Sequence, residues 1–497
     1  MFRMFSHSRW LLLASMLFAL AAVLGAHPAF AGGVVGNGTP ASCTETALGN
    51  ALNGGGTITF NCGANPKTIT ITFAKQISAN TTLDGGNKIT LKAVNAYHFQ
   101  VFNGYTFTIK NIKLTNGSSP GGGSIQNFGT TSAINVTFQN NTATGVSNGG
   151  AVYNNGVFKA KNSTFNTNQA ANGGAIYNDG GTTVVRASTF NGNQAVADTY
   201  YGGAIANNGG TVRIKGSTFL GNSARYGGAL YTEFGSTNII KKSTFDSNQS
   251  VNRGGAIDNL GNTTITASVI KNNTTAGSGG GISHGGTLTM QTTTISGNQA
   301  NFGGGMRDFG NSTTILSSTF SGNIASGHGG GIYSSTNTVL RNSTLSGNQA
   351  GSASGGGGLY QYGSGSDLQF VTIANNKAGY AGGVYSESAG NGSIQMENVL
   401  LSKNQNGNCG GATLVSLGGN LSSDTYCSAF TQSHDKQNKN AKLGPLANNG
   451  GPTMTHMLLS GSPAINNAFN IPGITQDQRG VARPKGSAPD TGAVEAQ

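Results

Sequence analysis

The sequence predicts an all-β protein: a single-stranded parallel β-helix in which the chain winds through about 12–14 coils between an N-terminal and a C-terminal cap. Three observations lead to this fold class. Of 497 residues, 81 are glycine, which disfavours helices, and the 10 prolines are too few for collagen. Two short phrases recur in step along most of the chain. Between them lie stretches in which apolar and polar residues alternate, the period of a β-strand.

The first 31 residues have the pattern of an export signal. Arg3 and Arg9 give a basic start, an apolar run extends from Leu11 to Leu24, and Ala29 to Ala31 fit a small-x-small cleavage site. The apolar run is short for a membrane anchor, and no later segment is apolar enough to span a bilayer. We therefore expect residues 1–31 to be removed and the mature protein to be secreted, either free or associated with the cell surface.

The segments on either side of the repeats are predicted to cover the two ends of the solenoid. Residues 32–120 should form an N-terminal cap, with a short helix within Thr44 to Leu52, and the first irregular coils. Residues 405–497, where the repeat is lost, should form a C-terminal cap. Four cysteines allow three pairings. The local pairs Cys43–Cys62 and Cys409–Cys427 are favoured, because the whole repeat region separates them. A zinc site is disfavoured since no C-x2-C is present, and no metal or cofactor is expected.

The repeat region is expected to run from residue 121 to residue 404. Its first phrase, of the type Gly-Gly-Ala-Ile-Tyr-Asn, returns eleven times at intervals of 24–29 residues, with its apolar residue at Ile125, Val152, Ile176, Ile205, Leu230, Ile257, Ile282, Met306, Ile332, Leu359 and Val384. The second phrase, Ser-Thr-Phe-x-x-Asn, always ends in asparagine, at Asn141, Asn168, Asn193, Asn222, Asn248, Asn273, Asn298, Asn323, Asn348, Asn376 and Asn404. A period near 26 residues suits one coil of three short strands, and each coil must stack on its neighbours to bury its apolar face.

Stacking brings equivalent residues together in columns. The apolar columns should point inward, and the asparagine column should form a ladder of hydrogen-bonded amides at a turn. The residue after each inward apolar residue also admits Gln, Asp and Arg, so this column should face outward. It is tyrosine at Tyr153, Tyr177, Tyr231, Tyr333, Tyr360 and Tyr385. Two interpretations remain open: ring packing between coils, or a flat platform on which sugar rings stack.

A second outward column carries positive charge, at Lys161, Arg186, Lys215 and Lys241 on four consecutive coils, with Lys159, Arg213 and Lys242 close by. Like charges stacked about 4.8 Å apart repel each other. The column is therefore either a solvated face that blocks sheet stacking, or a binding site for an extended anionic polymer such as an acidic polysaccharide. Nucleic acid is disfavoured, because the chain lacks a motif that enters a groove.

Catalytic candidates are few. The 16 acidic residues are mostly isolated in the repeat. The best cluster combines Asp258, Arg307 and Asp308 with His284 on the coil between, and could serve proton abstraction or bind a divalent ion. The alternative is a set of exposed turn residues, so no catalytic residue is assigned. Another alternative is an ice- or mineral-binding face from the outward threonines Thr164, Thr189, Thr218 and Thr244.

The repeats, with Gly-Gly-Ala-[Ile/Val/Leu] and Phe-x-x-Asn, resemble those of chlamydial polymorphic outer-membrane proteins. The tail carries Leu443-Gly-Pro-Leu, Asn448-Asn-Gly-Gly-Pro-Thr and Asp477-Gln-Arg-Gly. With the start from Cys43 through Cys62, it resembles the bacterial secreted β-helix proteins described as choice-of-anchor Q proteins. That resemblance implies an extracellular right-handed β-helix, and most members lack an assigned activity.

For function, the sequence favours a secreted or cell-surface module for binding, adhesion or structure, directed toward polysaccharide or an anionic surface polymer. The alternative is a polysaccharide lyase or glycoside hydrolase, since enzymes of the pectin-lyase-like type also use parallel β-helices. Fold alone does not decide between these functions.

Overall fold

The computed structural model describes residues 32–196, 200–387 and 392–496, so the predicted signal segment lies outside the described residues. The protein is an all-β, right-handed parallel β-solenoid of about 15 turns, which confirms the predicted fold class. Stacked coils already begin in the segment before residue 120. Its strands Thr81–Ala93 and Thr106–Thr115 pair in parallel with each other and with the first repeat.

Three parallel sheets run along the solenoid. Sheet A contributes two strands to each regular coil and consists of Val34–Val35, Gly56–Phe60, Lys67–Ile71, Thr81–Ala93, Thr106–Thr115, Thr130–Gln139, Val157–Lys161, Thr164–Asn166, Thr182–Arg186, Thr189–Asn191, Thr211–Lys215, Thr218–Leu220, Thr237–Lys241, Thr244–Asp246, Asn262–Thr266, Val269–Lys271, Thr287–Gln291, Thr294–Ser296, Ser312–Leu316, Thr319–Ser321, Thr338–Arg341, Thr344–Ser346, Ser366–Gln369, Thr372–Ala374, Ile394–Glu397, Leu400–Ser402, Leu414–Gly418 and Leu421–Ser422.

Sheet B contains the first phrase of the repeat. Its strands are Lys75–Ile77, Phe99–Val101, Ile125–Asn127, Val152–Asn154, Ile176–Asp179, Ile205–Asn208, Leu230–Thr232, Ile257–Asn259, Ile282–His284, Met306–Asp308, Ile332–Ser334, Leu359–Gln361, Val384–Ser386 and Cys409–Gly411. Sheet C is the shortest and consists of Ser118–Ser119, Thr142–Ala143, Gln169–Ala170, Gln194–Ala195, Ser223–Tyr226, Gln249–Arg253, Thr274–Thr275, Gln299–Ala300 and Ile324–Ala325.

The core fills the interior of the solenoid, as the apolar columns predict. The first-phrase apolar residues, from Ile125 to Val384, are 0% exposed. The phenylalanines of the second phrase stack ring on ring: the centroids of Phe165 and Phe190 are 4.5 Å apart with an angle of 2° between ring planes, and those of Phe190 and Phe219 are 4.6 Å apart. This spacing is close to the coil rise of about 4.8 Å, so equivalent residues meet directly across coils.

The asparagine ladder is also confirmed. All eleven asparagines of the second phrase are buried. Each of the first ten donates from Nδ2 to Oδ1 of the asparagine on the next coil, and the last, Asn404, donates to Asn408. At Asn222, for example, Oδ1 accepts hydrogen bonds from the backbone N and the Nδ2 of Asn193, while Nδ2 donates to Asn248 Oδ1 and to the carbonyl of Phe190. The ladder therefore satisfies the buried polar groups of each turn.

Sequence reasoning missed a second buried ladder, formed by the last residue of the first phrase. Asn127, Asn154, Asn178 and Asn207 are 0% exposed and joined by hydrogen bonds of 2.7–2.8 Å from Nδ2 to the next Oδ1. The recurring asparagine of the phrase Gly-Gly-Ala-Ile-Tyr-Asn was the available signal.

A short helix and a disulfide cover the N-terminal end. The helix α1 spans Glu45–Leu52, preceded by a 3-10 turn at Pro40–Ser42. The Thr44 side chain caps α1 by accepting a hydrogen bond from the backbone N of Ala47, and Leu48 and Leu52 are buried. Cys43–Cys62 and Cys409–Cys427 are both formed, with Cα–Cα distances of 5.6 Å and 4.9 Å, as predicted.

Residues 441–496, which we call the C-terminal module, turn back and pack against the outer side of sheet A. They contain the antiparallel strands Leu443–Ala447 and Thr455–Leu458. Thr344 Oγ1 donates to Gln478 Oε1 at 2.7 Å, and the backbone N of Ala493 donates to Thr372 Oγ1 at 2.9 Å. Inside the module, the buried ion pairs Arg479–Asp477 and Arg483–Glu495 measure 2.7 Å and 2.9 Å.

Helices long and apolar enough to cross a membrane are absent from the part of the chain that the structure describes.

Candidate ligand-binding faces

The tyrosine column lies on the outer side of sheet B, with its members in register. Tyr153 pairs with Tyr177, and Tyr333 with Tyr360 and then Tyr385 on successive strands. The ring centroids of Tyr333 and Tyr360 are 5.0 Å apart at an angle of 26°, and those of Tyr360 and Tyr385 are 5.3 Å apart at 16°. Near-parallel rings this close must overlap, so each ring covers part of its neighbour's face. Ring packing between coils is therefore present.

A second row of side chains covers this column. Its members stand four residues before each inward apolar residue and include Tyr201, Tyr226, Arg253, Phe302, His328 and Tyr380. The ring centroids of Tyr201 and Tyr231 are 4.4 Å apart, and those of His328 and Tyr360 4.3 Å. Tyr231 and Tyr360 are consequently only 5% and 3% exposed. A flat platform, one of the two interpretations, is therefore not open at Tyr231 and Tyr360, because side chains of the preceding loop cover them.

Carboxylates accept hydrogen bonds from three of the tyrosine hydroxyls. Tyr153 donates to Asp179, Tyr231 to Glu233 at 2.8 Å, and Tyr360 to Glu387 at 2.7 Å. Burial first, and then the neighbouring carboxylate, raises the pKa of all three phenols. These hydroxyls therefore stay protonated and act as hydrogen-bond donors near neutral pH.

Polar residues interrupt the tyrosine column in the middle of the solenoid. Asp258, Ser283 and Arg307 follow one another in register. Asp258 is 0% exposed and its carboxylate pairs with Arg253 at 3.2 Å. Burial raises the pKa of Asp258 to about 6, although Arg253 and the Ser283 hydroxyl oppose the shift. The Arg307 guanidinium lies 4.0 Å from the centre of the Tyr333 ring. Asp258 is thus a covered side chain and not the exposed turn residue of the alternative interpretation.

The other two catalytic candidates face the opposite side of the same strands. His284 and Asp308 are 0% exposed and belong to the second polar ladder. His284 Nδ1 lies 3.0 Å from Asn259 Nδ2, and Asp308 accepts a hydrogen bond of 2.7 Å from Thr338. Neighbouring residues of a strand point to opposite faces. The four candidates are therefore divided between the outer face, with Asp258 and Arg307, and the inner face, with His284 and Asp308. Groups of three or more His, Cys, Asp or Glu able to hold a metal ion are absent from the described residues.

The outward threonine column is only partly open. Thr164, Thr189, Thr218 and Thr244 are at least partly exposed, whereas Thr319, Thr344 and Thr372 farther along the same column are 0–2% exposed. The C-terminal module covers these later threonines. A continuous threonine face along the solenoid is therefore ruled out.

The positively charged column lies on the outer side of sheet A. The register pairs Lys161 with Arg186, Arg186 with Lys215, and Lys215 with Lys241. With three neighbours they form what we call the basic cluster: Lys159, Lys161, Arg186, Arg213, Lys215, Lys241 and Lys242. All seven are exposed, and none has a carboxylate within ion-pair distance among residues 32–196, 200–387 and 392–496.

A groove opens farther along this face, where the C-terminal module meets sheet A. It has a volume of about 360 Å³ and is lined by Gln291, Leu316 and Arg341 on the solenoid side and by Pro452 and residues 473–480 on the module side. Asn342 Nδ2 donates to the carbonyl of Gln476 at 2.8 Å and holds the two sides together. Sequence reasoning did not find this groove.

Four stretches of the chain, residues 135–155, 162–179, 216–233 and 317–335, match the Chlamydia polymorphic membrane protein repeat. The predicted resemblance of the repeats is thus confirmed, while that to choice-of-anchor Q proteins stays a prediction. No curated protein matches the sequence.

Three solved structures are similar to this chain at low sequence identity. The surface adhesin PfbA of Streptococcus pneumoniae is 14% identical, covering 76% of this chain and 93% of its own, with a TM-score of 0.32. Tailspike protein 3 of bacteriophage CBA120 is 11% identical over 75% and 58%, with a TM-score of 0.34. The A-module of the Azotobacter vinelandii mannuronan C-5 epimerase AlgE6 is 10% identical over 75% and 94%, with a TM-score of 0.29.

Proposed function

We propose that the protein is an extracellular binding module that holds an acidic polysaccharide, or an anionic polymer of similar charge, along the basic cluster. One observation supports this most directly: four cations stand in register on consecutive coils and lack acidic partners among the described residues. Parallel stacking places them about 4.8 Å apart, where like charges repel. A bound polyanion removes this repulsion.

The shape of the cluster favours a polymer over a small anion. Its charges follow the solenoid axis on an open strand surface, so a ligand with repeated negative charges can contact one coil after another. Nothing in the cluster resembles a helix or ribbon that would enter a nucleic-acid groove. The two disulfides support an oxidising, extracellular location, in keeping with the export signal predicted for residues 1–31.

Binding to alginate, pectate and heparin at low and moderate salt tests the proposal. The quadruple variant Lys161→Ala/Arg186→Ala/Lys215→Ala/Lys241→Ala should bind at least one of these polymers about tenfold or more weakly than the wild type. Wild-type binding should also weaken with salt, because exposed charges are screened within about 10 Å at 0.1 M.

A control variant that loses the same number of charges distinguishes an effect of the basic cluster from an effect of net charge. The variant Lys377→Ala/Lys403→Ala/Lys439→Ala/Lys485→Ala removes four exposed cations scattered elsewhere and should retain most of the affinity. If the two quadruple variants bind equally well, the cluster is only a solvated face and the proposal is wrong.

Exposed aromatic side chains beside the tyrosine column support a second candidate, binding of neutral saccharides. Phe302, Tyr362 and Tyr380 are 37%, 45% and 36% exposed and lie beside the half-buried Tyr333 and Tyr385. Exposed aromatic rings bind sugars through their faces. In this candidate, Tyr362→Ala/Tyr380→Ala abolishes a salt-insensitive glycan affinity that the basic-cluster variant retains. If that double variant keeps the full glycan affinity of the wild type, this second candidate is wrong.

A further inference from the structure

The column that carries the basic cluster continues beyond Lys241. Strand register places Thr266, Gln291, Leu316 and Arg341 on the next four coils, in line with the four cations. Each of these four side chains is at least partly exposed. Seven coil steps separate Lys161 from Arg341, which is about 34 Å at about 4.8 Å per coil. The column is thus a straight track along the outside of the solenoid.

The far end of the track forms the floor of the groove beside the C-terminal module. Gln291, Leu316 and Arg341 line the floor, and the segment from Gly473 to Gly480 forms one wall. The wall is held in place by hydrogen bonds from Asn342 to the carbonyl of Gln476 and from Thr344 to Gln478. The track therefore changes from an open surface into a walled groove without leaving its column.

The side chains of the groove suit an acidic sugar unit. Gln291 offers an amide, Thr475 a hydroxyl, Leu316 an apolar contact and Arg341 an exposed guanidinium. The wall adds little net charge, because Asp477 and Arg479 are buried and paired with each other at 2.7 Å. A concave site with a few polar groups around an apolar patch is typical of ligand subsites.

We propose that this groove binds sugar units of the same acidic polysaccharide that the basic cluster holds, so that one polymer chain lies along the track from Lys161 to Arg341. The inference rests on the proposed function, and it adds a second point of attachment. Two linked contacts on one chain raise affinity well beyond either contact alone.

Oligomannuronates of increasing length test the inference. Wild-type protein should bind chains longer than about 34 Å at least about tenfold more tightly than short chains that cover only the basic cluster. The variant Gln291→Trp fills the floor of the groove and should lose this gain with length, while its affinity for short chains stays within about twofold of wild type. Arg341→Gln should reduce the gain in the same direction.

Gln395→Trp is the matched control, since Gln395 is an exposed glutamine of sheet A outside the groove. It should keep the full length dependence. If Gln291→Trp keeps it too, or if wild type shows no gain with length although short chains bind, the groove inference is wrong and the proposed function stands. If the quadruple basic-cluster variant binds short chains as well as wild type does, the proposed function itself is wrong.

Discussion

Removing one amide from the asparagine ladder should destabilise the whole solenoid measurably. Asn222 is 0% exposed and has a ladder asparagine on the coil before it and on the coil after it. Its Oδ1 accepts from the backbone N of Asn193 at 3.0 Å and from Asn193 Nδ2 at 2.9 Å. Its Nδ2 donates to Asn248 Oδ1 at 2.9 Å and to the carbonyl of Phe190 at 3.1 Å. The substitution Asn222→Ala deletes all four hydrogen bonds.

The cost can be worked out from the partners that remain. Asn248 Oδ1 still accepts from the backbone N of residue 222 at 3.0 Å. Asn193 loses more: its backbone N–H has no other acceptor in the ladder, and its Nδ2 keeps only the bond to the carbonyl of Phe165. Two buried donors are thus left unpaired, at about 1–3 kcal/mol each. We expect the free energy of unfolding to fall by about 4 kcal/mol.

Urea unfolding of residues 32–497, followed by circular dichroism, measures this change. Asn222→Asp retains an acceptor for Asn193 but turns an oxygen toward Asn248 Oδ1 and the carbonyl of Phe190, so it should be at least as destabilising as alanine. The control Asn262→Ala removes an exposed asparagine of sheet A and should change stability by less than about 0.5 kcal/mol. The reasoning is refuted if Asn222→Ala is as stable as this control, because water would then replace the amide at no cost.

Two buried titratable groups predict opposite dependences of stability on pH. Burial lowers the pKa of His98, which bonds to Leu91 and Ser124, to about 4. The free energy of unfolding should therefore decrease by about 3 kcal/mol as the pH falls from 6.5 to 4. His98→Gln should flatten that slope, and parallel urea curves for variant and wild type at each pH would contradict it. Burial raises the pKa of Asp258 to about 6. This shift should decrease the free energy of unfolding by about 3 kcal/mol as the pH rises from about 4 to 6. Asp258→Asn should therefore gain stability relative to wild type over that interval, and a constant difference would show that Asp258 ionises freely in the folded state.

The repeat explains why so much of the fold could be predicted. Once each period forms one coil, parallel stacking places residue i of every coil above residue i of the next. A column of identical residues in the sequence, such as the asparagines around Asn222 or the cations from Lys161 to Lys241, must then be a column in space. The inward columns, the amide ladder and the column of cations follow from that one relation.

What the sequence did not determine was the cover over each outward column. The period tells which side of a strand Tyr231 and Tyr360 occupy, but not that Tyr201 and His328 fold over them from the preceding loop. Likewise, Asp258 and Arg307 in one column, with His284 on the coil between, suggested a catalytic cluster on neighbouring coils. The tertiary structure instead buries Asp258 beside Arg253 and places His284 and Asp308 in the inner ladder.

The groove depended entirely on tertiary structure. The bond from Thr344 to Gln478 joins residues 134 positions apart, and that from Asn342 to Gln476 spans the same separation. The C-terminal module has no repeat that would relate its residues to particular coils, so its docking site is set by complementary shape and hydrogen bonding. Periodic contacts are encoded by spacing along the chain, whereas a single contact between non-repeating surfaces has no such spacing and exists only once the chain has folded.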